Sequence, residues 1–328
     1  MNEKRKTRAI SLLSGGLDSL LAICVLREQG VSVTGLTFTT PFFGSKHAEA
    51  AAVQLDCEVM ILDITDEHLE MLKRPPHGYG KCMNPCIDCH AMMIEKAGEI
   101  AKRDGYDVVA TGEVLGERPM SQNRQSLDTV AKDSGCADIL LRPLSAKLLE
   151  PTRPEIEGLV DRERLLDIQG RSRKPQMELA KKYGIKSYVQ PAGGCLLTDP
   201  AFSARLKELL DHNPGAVADD VRMLRLGRHF RLKSGAKVVV GRNEKENDAL
   251  TERVGENGIL ITSDITPGPV VYLMDSAAGS DVDMAARICA SYADNGGNEI
   301  DMELSMNGER SRIRSTPVTR DEFVEFRI

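Results

Sequence analysis

Ser14-Gly15-Gly16-Leu17-Asp18-Ser19 separates two apolar runs, 8–13 and 20–26. The first reads as a short buried strand and the second as a helix. A glycine pair between a strand and a helix lets backbone N–H groups approach an anion closely. The helix N-terminus adds its partial positive charge, so such a turn is a natural phosphate cradle. Ser14 and Ser19 can donate hydroxyl hydrogen bonds to phosphate oxygens. Asp18 can cap the helix or hold a magnesium ion. The Gly-Lys-[Ser/Thr] ending of a Walker A loop is absent, and so is the G-x-G-x-x-G spacing of a dinucleotide fold.

Strand and helix patterns alternate through the first half. Strands are expected at 9–13, 31–38, 58–64, 107–111 and 139–143, with helices following Asp18, Ser45, Cys89 and Ser121. This alternation predicts an α/β fold with a mostly parallel, doubly wound sheet, whose ligands bind beyond the carboxyl ends of the strands. The strand at 107–111 ends in a small, open turn at Gly112, which joins the expected nucleotide site. Further helices are expected over 174–183, capped by Gly184, and over 200–210. His212-Asn213-Pro214-Gly215 then breaks the pattern. It predicts a boundary between a domain at 1–212 and a smaller α+β domain at 213–328. In the latter, short strands at 230–232, 237–240, 259–262 and 270–273 are joined by turns at Ser234-Gly235 and at 256–258. A helix over 281–292 and more strands after 298 follow.

The complete SGGLDS string resembles the PP-loop of the ATP pyrophosphatase superfamily, which includes GMP synthetase, argininosuccinate synthetase and the tRNA thiolases. The resemblance implies an adenine nucleotide alpha hydrolase-like fold. It also implies ATP with Mg2+ as a reactant and adenylation of a substrate oxygen with release of pyrophosphate. Ser14, Gly15, Gly16, Asp18, Ser19 and Gly112 would hold the phosphates and the metal.

Eight cysteines punctuate the chain. Cys24, Cys57, Cys136 and Cys289 sit in apolar or helical settings, as ordinary buried thiols do. Cys82, Cys86 and Cys89 cluster in a Gly/Pro/Asn-rich loop that runs into a helix, and Cys195 follows a second glycine loop. Cys86-x-x-Cys89-His90 matches a c-type haem attachment pattern. That pattern requires export, and the opening residues hold no signal-like apolar segment, so a cytoplasmic location is expected. A zinc site drawing on Cys82, Cys86, Cys89 and His90 or Cys195 is a second reading. An iron–sulfur cluster or a pair of sulfur-carrying thiolates is the third, favoured by thiolates at a helix N-terminus.

Asn84-Pro85-Cys86-Ile87-Asp88-Cys89 resembles the Asn-Pro-Cys-x-x-Cys segment of tRNA-specific 2-thiouridylases, in which the second cysteine is catalytic. That role would fall to Cys89. The segment from Lys174 to Gly184, followed by Gly194-Cys195-Leu196-Leu197, is similar to the region around their persulfide-carrying cysteine, so Cys195 would take that part. Cys86, Cys89 and Cys195 also resemble the three ligands of a [4Fe-4S] cluster in cluster-dependent thiolases. The likeness covers roughly the first two-thirds of the chain. The long central barrel of the 2-thiouridylases is missing, and Cys82 is additional.

The 328 residues carry a net charge of -6 and no apolar stretch approaching the ~20 residues of a membrane span. That charge argues against nonspecific coating of nucleic acid. Arg and Lys nevertheless crowd the stretch from Arg222 to Arg253, which suits an RNA ligand. Within it, Gly227-Arg228-His229-Phe230-Arg231-Leu232 and Val240-Gly241-Arg242-Asn243 through Asn247-Asp248 resemble the NFACT-family RNA-binding domain. The resemblance implies RNA contacts from Arg228, Arg242 and Asn243. Together these features predict an ATP-dependent tRNA uridine thiolase, supplied with sulfur by sulfide or by a persulfide carrier. Two other readings stay open: a ligase or amidotransferase acting on a small molecule, and a noncatalytic RNA-binding quality-control protein.

Overall fold

The computed structural model describes residues 5–190, 194–253, 258–264, 268–274, 279–293 and 297–328. The chain divides into two compact units, Met1–Ser203 and Ala204–Ile328.

In the first unit, β1 (Arg8–Leu12), α1 (Leu17–Glu28), β2 (Ser32–Thr39), α2 (Lys46–Leu55), β3 (Val59–Asp63) and α3 (Thr65–Lys73) are followed by α4 (Cys86–Asp104), β4 (Val108–Ala110), α5 (Arg124–Asp133), β5 (Leu140–Leu141), the short α6 (Arg153–Ile156) and α7 (Lys174–Lys182). The five strands form one parallel sheet in the order β3-β2-β1-β4-β5. From β1 the chain first winds outward through β2 and β3. It then returns to place β4 on the other side of β1. The reversal creates a switch point between β1 and β4, where such sheets take their ligands. Both faces are covered. Ala9, Val33 and Val108 pack with Leu17, Leu21, Ala52 and Ala180 of α1, α2 and α7. Ile10, Leu36 and Val109 pack with Ile94, Ala97 and Val130 of α4 and α5. Neighbouring residues on β1 and β4 thus enter opposite layers, as the pleat requires.

Helix α8 (Pro200–His212) leads into the second unit, which continues with α9 (Ala218–Met223), β6 (Arg228–Arg231), β7 (Lys237–Val240), α10 (Glu244–Glu252), β8 (Ile259–Ser263), β9 (Val270–Met274), α11 (Gly279–Tyr292), β10 (Ile300–Met306), β11 (Glu309–Ser315) and α12 (Arg320–Phe323). Its six strands pair antiparallel in the order β11-β10-β8-β9-β7-β6. Ala285, Ile288 and Cys289 of α11 pack on one face with Phe230, Val238 and Val271. Met223 and Leu250, from α9 and α10, pack on the other with Val239 and Tyr272.

Two differences from the sequence expectations matter. Helix α3 was not anticipated; its start is held by the Asp63 carboxylate, which accepts from the Thr65 amide at 2.8 Å. Helix α4 begins at Cys86 rather than after Cys89, so both cysteines lie on its first turn, three residues apart and on one face. Residues 191–193 of the second cysteine loop and 256–257 of the expected turn lie outside the described residues. No helix among the described residues is long and apolar enough to cross a membrane.

Candidate functional site

The turn after β1 admits only glycine at position 15. Its φ is +82°, and a Cβ there would stand 2.6 Å from the carbonyl carbon of His47. Val189 N donates to Gly15 O at 3.0 Å and ties down the outer side of the turn. Ser19 is buried and donates to Gly16 O at 2.7 Å, while Ser14 Oγ accepts from Gly16 N at 3.3 Å. Ser14 itself is exposed at the mouth of the turn. Gly112, after β4, meets this turn across the switch point.

Around Asp18 several polar atoms lack partners. Asp18 Oδ1, Arg173 Nε and both side-chain amide atoms of Gln176 are buried without one. Burial pushes the Asp18 carboxyl up, while Arg173, the Gln176 amide and Arg118 draw it back. Burial and the nearby Asp18 charge push Glu117 up as well, opposed by Arg118 and Arg173. Arg173 Nε approaches Glu117 at 4.0 Å. Two carboxylates that repel each other, faced by the charges of two guanidiniums and by an unused donor on Arg173, form an incomplete set. A divalent cation shared by the carboxylates, with phosphate oxygens on the guanidiniums, would complete it. The residues therefore fit ATP and Mg2+. Glu117, Arg118, Arg173 and Gln176 come from segments remote from SGGLDS, and no local motif marks them as part of this site.

The cysteine loop is organised by Asn84. Its carbonyl accepts from Gly80 N at 3.0 Å, its Oδ1 accepts from Cys82 N at 3.1 Å, and its Nδ2 donates to Cys86 Sγ at 3.2 Å. Asp88 is buried and holds His77 through Nδ1 at 2.7 Å and the backbone amide at 3.1 Å. Burial pushes the Cys89 thiol well up, and the charges of Cys195, Cys86 and Asp88 add to it. Cys195 is pushed up to about 11 by burial, with Cys86 adding and Arg118 opposing. The three expected sulfur ligands thus lie within one another's field, and ionising all of them together is costly unless a cation shares them. Among the described residues, no three His, Cys, Asp or Glu side chains converge to hold a single ion. In a [4Fe-4S] cluster each thiolate takes a different iron, which calls for a wider set than one ion does; Cys86, Cys89 and Cys195 are each half-buried. Cys24 and Cys57 pack against the core, and Cys136 and Cys289 are buried.

One residue beyond Cys89, His90 Nδ1 lies 2.8 Å from Glu113 Oε1. Arg142 Nε donates to Glu113 Oε2 at 2.8 Å, and the Thr111 hydroxyl donates to the same oxygen at 3.1 Å. Burial alone would raise the Glu113 carboxyl, but Arg142 and His90 override it and hold it well below the usual range. This buried network braces the cysteine helix against the end of β4.

In the second unit, the Arg228 guanidinium lies 4.7 Å from the ring centre of Tyr292. Arg242 pairs with Glu246, which also accepts from the backbone amides of Gly227 and Arg242. Asn243 caps α10 by accepting from Glu246 N at 3.1 Å. Three residues of the Arg-rich signature therefore serve the fold as well as offering polar groups on the surface.

Residues 5–147 match the family model described as thiamine biosynthesis protein (ThiI), and residues 227–327 match that of the NFACT protein RNA binding domain. The chain thus carries a segment similar to ThiI followed by one similar to the NFACT protein RNA binding domain. The ThiI match contains both the SGGLDS turn and the Cys86–Cys89 helix start; the NFACT match contains all six strands of the second sheet. A curated relative, "Probable tRNA sulfurtransferase" of Caldanaerobacter subterraneus subsp. tengcongensis, is 26% identical over 200 residues, which is 49% of this chain and 51% of the relative. The "tRNA-specific 2-thiouridylase MnmA" of Pseudomonas putida is 24% identical over 250 residues, covering 71% of this chain and 63% of that protein. A solved structure, that of a 4-thiouridine synthetase–RNA complex with bound ATP, aligns at a TM-score of 0.38 with 22% identity, over 66% of this chain and 52% of that one. The chain thus spans about half the length of the first of these relatives.

Proposed function

We propose that this protein is an ATP-dependent tRNA uridine thiolase. The observation that carries the reading is the incomplete polar set at the SGGLDS turn, with Asp18 Oδ1 and Arg173 Nε buried and unpartnered, in a chain whose ThiI-like segment also holds Cys86 and Cys89. The turn and the three cysteines lie in the first unit, so adenylation and sulfur delivery would share it.

A uridine carbonyl oxygen is a poor leaving group. In the first step it attacks the α-phosphorus of ATP, an O–P bond forms, and pyrophosphate leaves. Ser14, Gly15, Gly16 and Ser19 hold the phosphates, and Asp18 with Glu117 holds Mg2+. Arg118 and Arg173 offset the charge that gathers on the departing oxygens. In the second step a sulfur nucleophile attacks the activated ring carbon, the C–O bond breaks, and AMP leaves. Cys86, Cys89 and Cys195 would hold a [4Fe-4S] cluster, which when bound supplies the sulfide for this displacement. The two-cysteine alternative uses a persulfide on Cys195. Its outer sulfur joins the ring, and Cys89 then breaks the S–S bond, leaving a Cys89–Cys195 disulfide for a thiol reductant to restore. In either route the base must leave its stack to reach the site, which favours a loop nucleotide. The NFACT-type domain would hold the tRNA body, with Arg228, Arg242 and Asn243 on that surface. The ThiI and NFACT matches support the pairing of sulfur chemistry with RNA.

The test is to follow pyrophosphate release and thionucleoside formation together, with unmodified tRNA as substrate. The wild type should give both. Asp18→Ala should abolish both, and Cys89→Ala should keep pyrophosphate release while losing the thionucleoside. Pyrophosphate release that ignores tRNA would favour a small-molecule ligase. RNA binding without any pyrophosphate would favour a noncatalytic binder.

A further inference from the structure

His68, on the unanticipated helix α3, is fully buried. Its ring packs against Phe42 and Phe43, with ring centres 5.4 and 5.6 Å away. Its Nε2 lies 3.4 Å from Cys89 Sγ, whereas its Nδ1 is buried with no partner. A core histidine with one nitrogen on a thiol and the other on nothing is an unusual choice where a phenylalanine would pack as well.

A neutral imidazole carries a single N–H, and its partners decide which nitrogen holds it. A doubly protonated ring would bury an N–H at Nδ1 with nothing to accept it, so the ring carries a single proton. With the proton on Nδ1, a buried donor would be orphaned. With the proton on Nε2, only a lone pair goes unused and the N–H points at sulfur. Orphaned buried N–H groups are rarer than unused acceptors, so the second tautomer prevails.

We propose that His68 is a fixed hydrogen-bond donor to the Cys89 sulfur, a positioning residue that aims this sulfur. A fixed sulfur position is what either sulfur route asks of Cys89, so the inference deepens the thiolase reading and rests on it. The donor does not act as a base. It sets the orientation of the Cys89 side chain, and the rings of Phe42 and Phe43 packed on His68 hold the imidazole in place. The face of Cys89 turned away from His68 is left for Cys86 and Cys195, whose charges already act on it.

Two measurements on the reduced, iron-free, full-length chain test this. Histidine nitrogen NMR should show His68 protonated at Nε2; protonation at Nδ1 would overturn the proposal. Alkylation by iodoacetamide, read by tandem mass spectrometry with Cys86 as internal reference, should slow about tenfold at Cys89 in His68→Phe, as loss of the one hydrogen bond that aims its sulfur predicts. His68→Gln, whose amide reaches the same point, should recover most of that rate. An unchanged Cys89 to Cys86 ratio in a folded His68→Phe would also overturn the proposal. If His68→Phe does not fold, the tautomer of the wild type decides. A wild type that forms no thionucleoside would sink the thiolase reading and leave both of these readouts standing.

Discussion

A Cβ on Gly112 would stand 2.5 Å from the carbonyl carbon of Asp18. The turn after β4 therefore presses directly on the start of α1, and the two halves of the sheet meet there with no room for a side chain. The same virtual atom lies 2.5 Å from Ser19 N, so any substituent must move the phosphate turn itself. Gly112→Ala should remain folded, at a cost of about 1–3 kcal/mol, and lose pyrophosphate release by at least ~100-fold through misplacement of the turn. A variant with normal release would remove the β4 turn from the nucleotide site.

The cysteines should separate by role. Protein purified without oxygen should contain about four irons per chain, as one [4Fe-4S] cluster requires. Cys86→Ala, Cys89→Ala and Cys195→Ala should each lose iron and thiolation, while Cys24→Ala, Cys57→Ala, Cys136→Ala and Cys289→Ala should lose neither. Cys82 lies half-buried in the same loop, and an active Cys82→Ala would leave the fourth iron open. Stoichiometric zinc without iron would overturn the cluster. A Cys195 persulfide in metal-free, fully active protein would favour the two-cysteine route.

Glu113 and Arg142 are both buried, and each is the other's charge partner. Glu113→Gln would leave the guanidinium buried without a countercharge, a change that costs about 3–5 kcal/mol. In a unit of this size the melting temperature should fall by roughly 6–20 °C. A calorimetric shift below roughly 3 °C would mean that the amide and His90 suffice to hold the network.

Arg242 is exposed and spends its Nε and Nη2 donors on Glu246, whose charge opposes an RNA phosphate. Glu246→Gln should therefore raise tRNA affinity at low salt, and replacing Arg228 and Arg242 together with Ala should lower it. The log–log salt slope should then fall by about 1 for each phosphate that the double variant no longer neutralises. Filter-binding titrations at several salt concentrations measure both effects. Slopes that do not move would assign the Arg228 and Arg242 side chains to the fold alone.

Acid should loosen the second sheet. Burial pushes His229 down to about 3, with the positive charges of Lys237 and Arg205 adding to it. In the unfolded chain an imidazole takes a proton below about pH 6.5. Between those values the unfolded state binds a proton that the folded state refuses, so stability falls as pH falls, by up to about 1.4 kcal/mol per unit. Above pH 6.5 the residue contributes no pH dependence. Hydrogen exchange in β6 and β7 should report a loss of about 2 kcal/mol from pH 6.5 to 5. His229→Gln should flatten it, and an equally steep loss in that variant would exclude His229 as the cause.

The sequence by itself determined the features that depend on near neighbours. The strand-turn-helix at SGGLDS follows from the conformational freedom of Gly15 and the apolar runs beside it. The placement of Cys86 and Cys89 on one face follows from their three-residue spacing at a helix start. The bounds of β7, β8 and β9 follow from short apolar runs between turns, whereas β6 lies at Arg228–Arg231 and not at the expected 230–232. Only the tertiary structure decided which distant residues complete those features. Helix α3, whose buried stripe holds only two apolar residues, Leu69 and Leu72, becomes a helix under packing and carries His68 to Cys89. Arg173 and Gln176 reach Asp18 because α7 packs against α1 in the layer on one face of the sheet, a placement no local pattern sets. Arg242 and Asn243 stand out as RNA residues in the linear signature, and folding gives the first an acidic partner and the second a helix to cap. A side chain's type and spacing are written in the chain, but its partner, its burial and hence its charge state arise only when remote segments close around it.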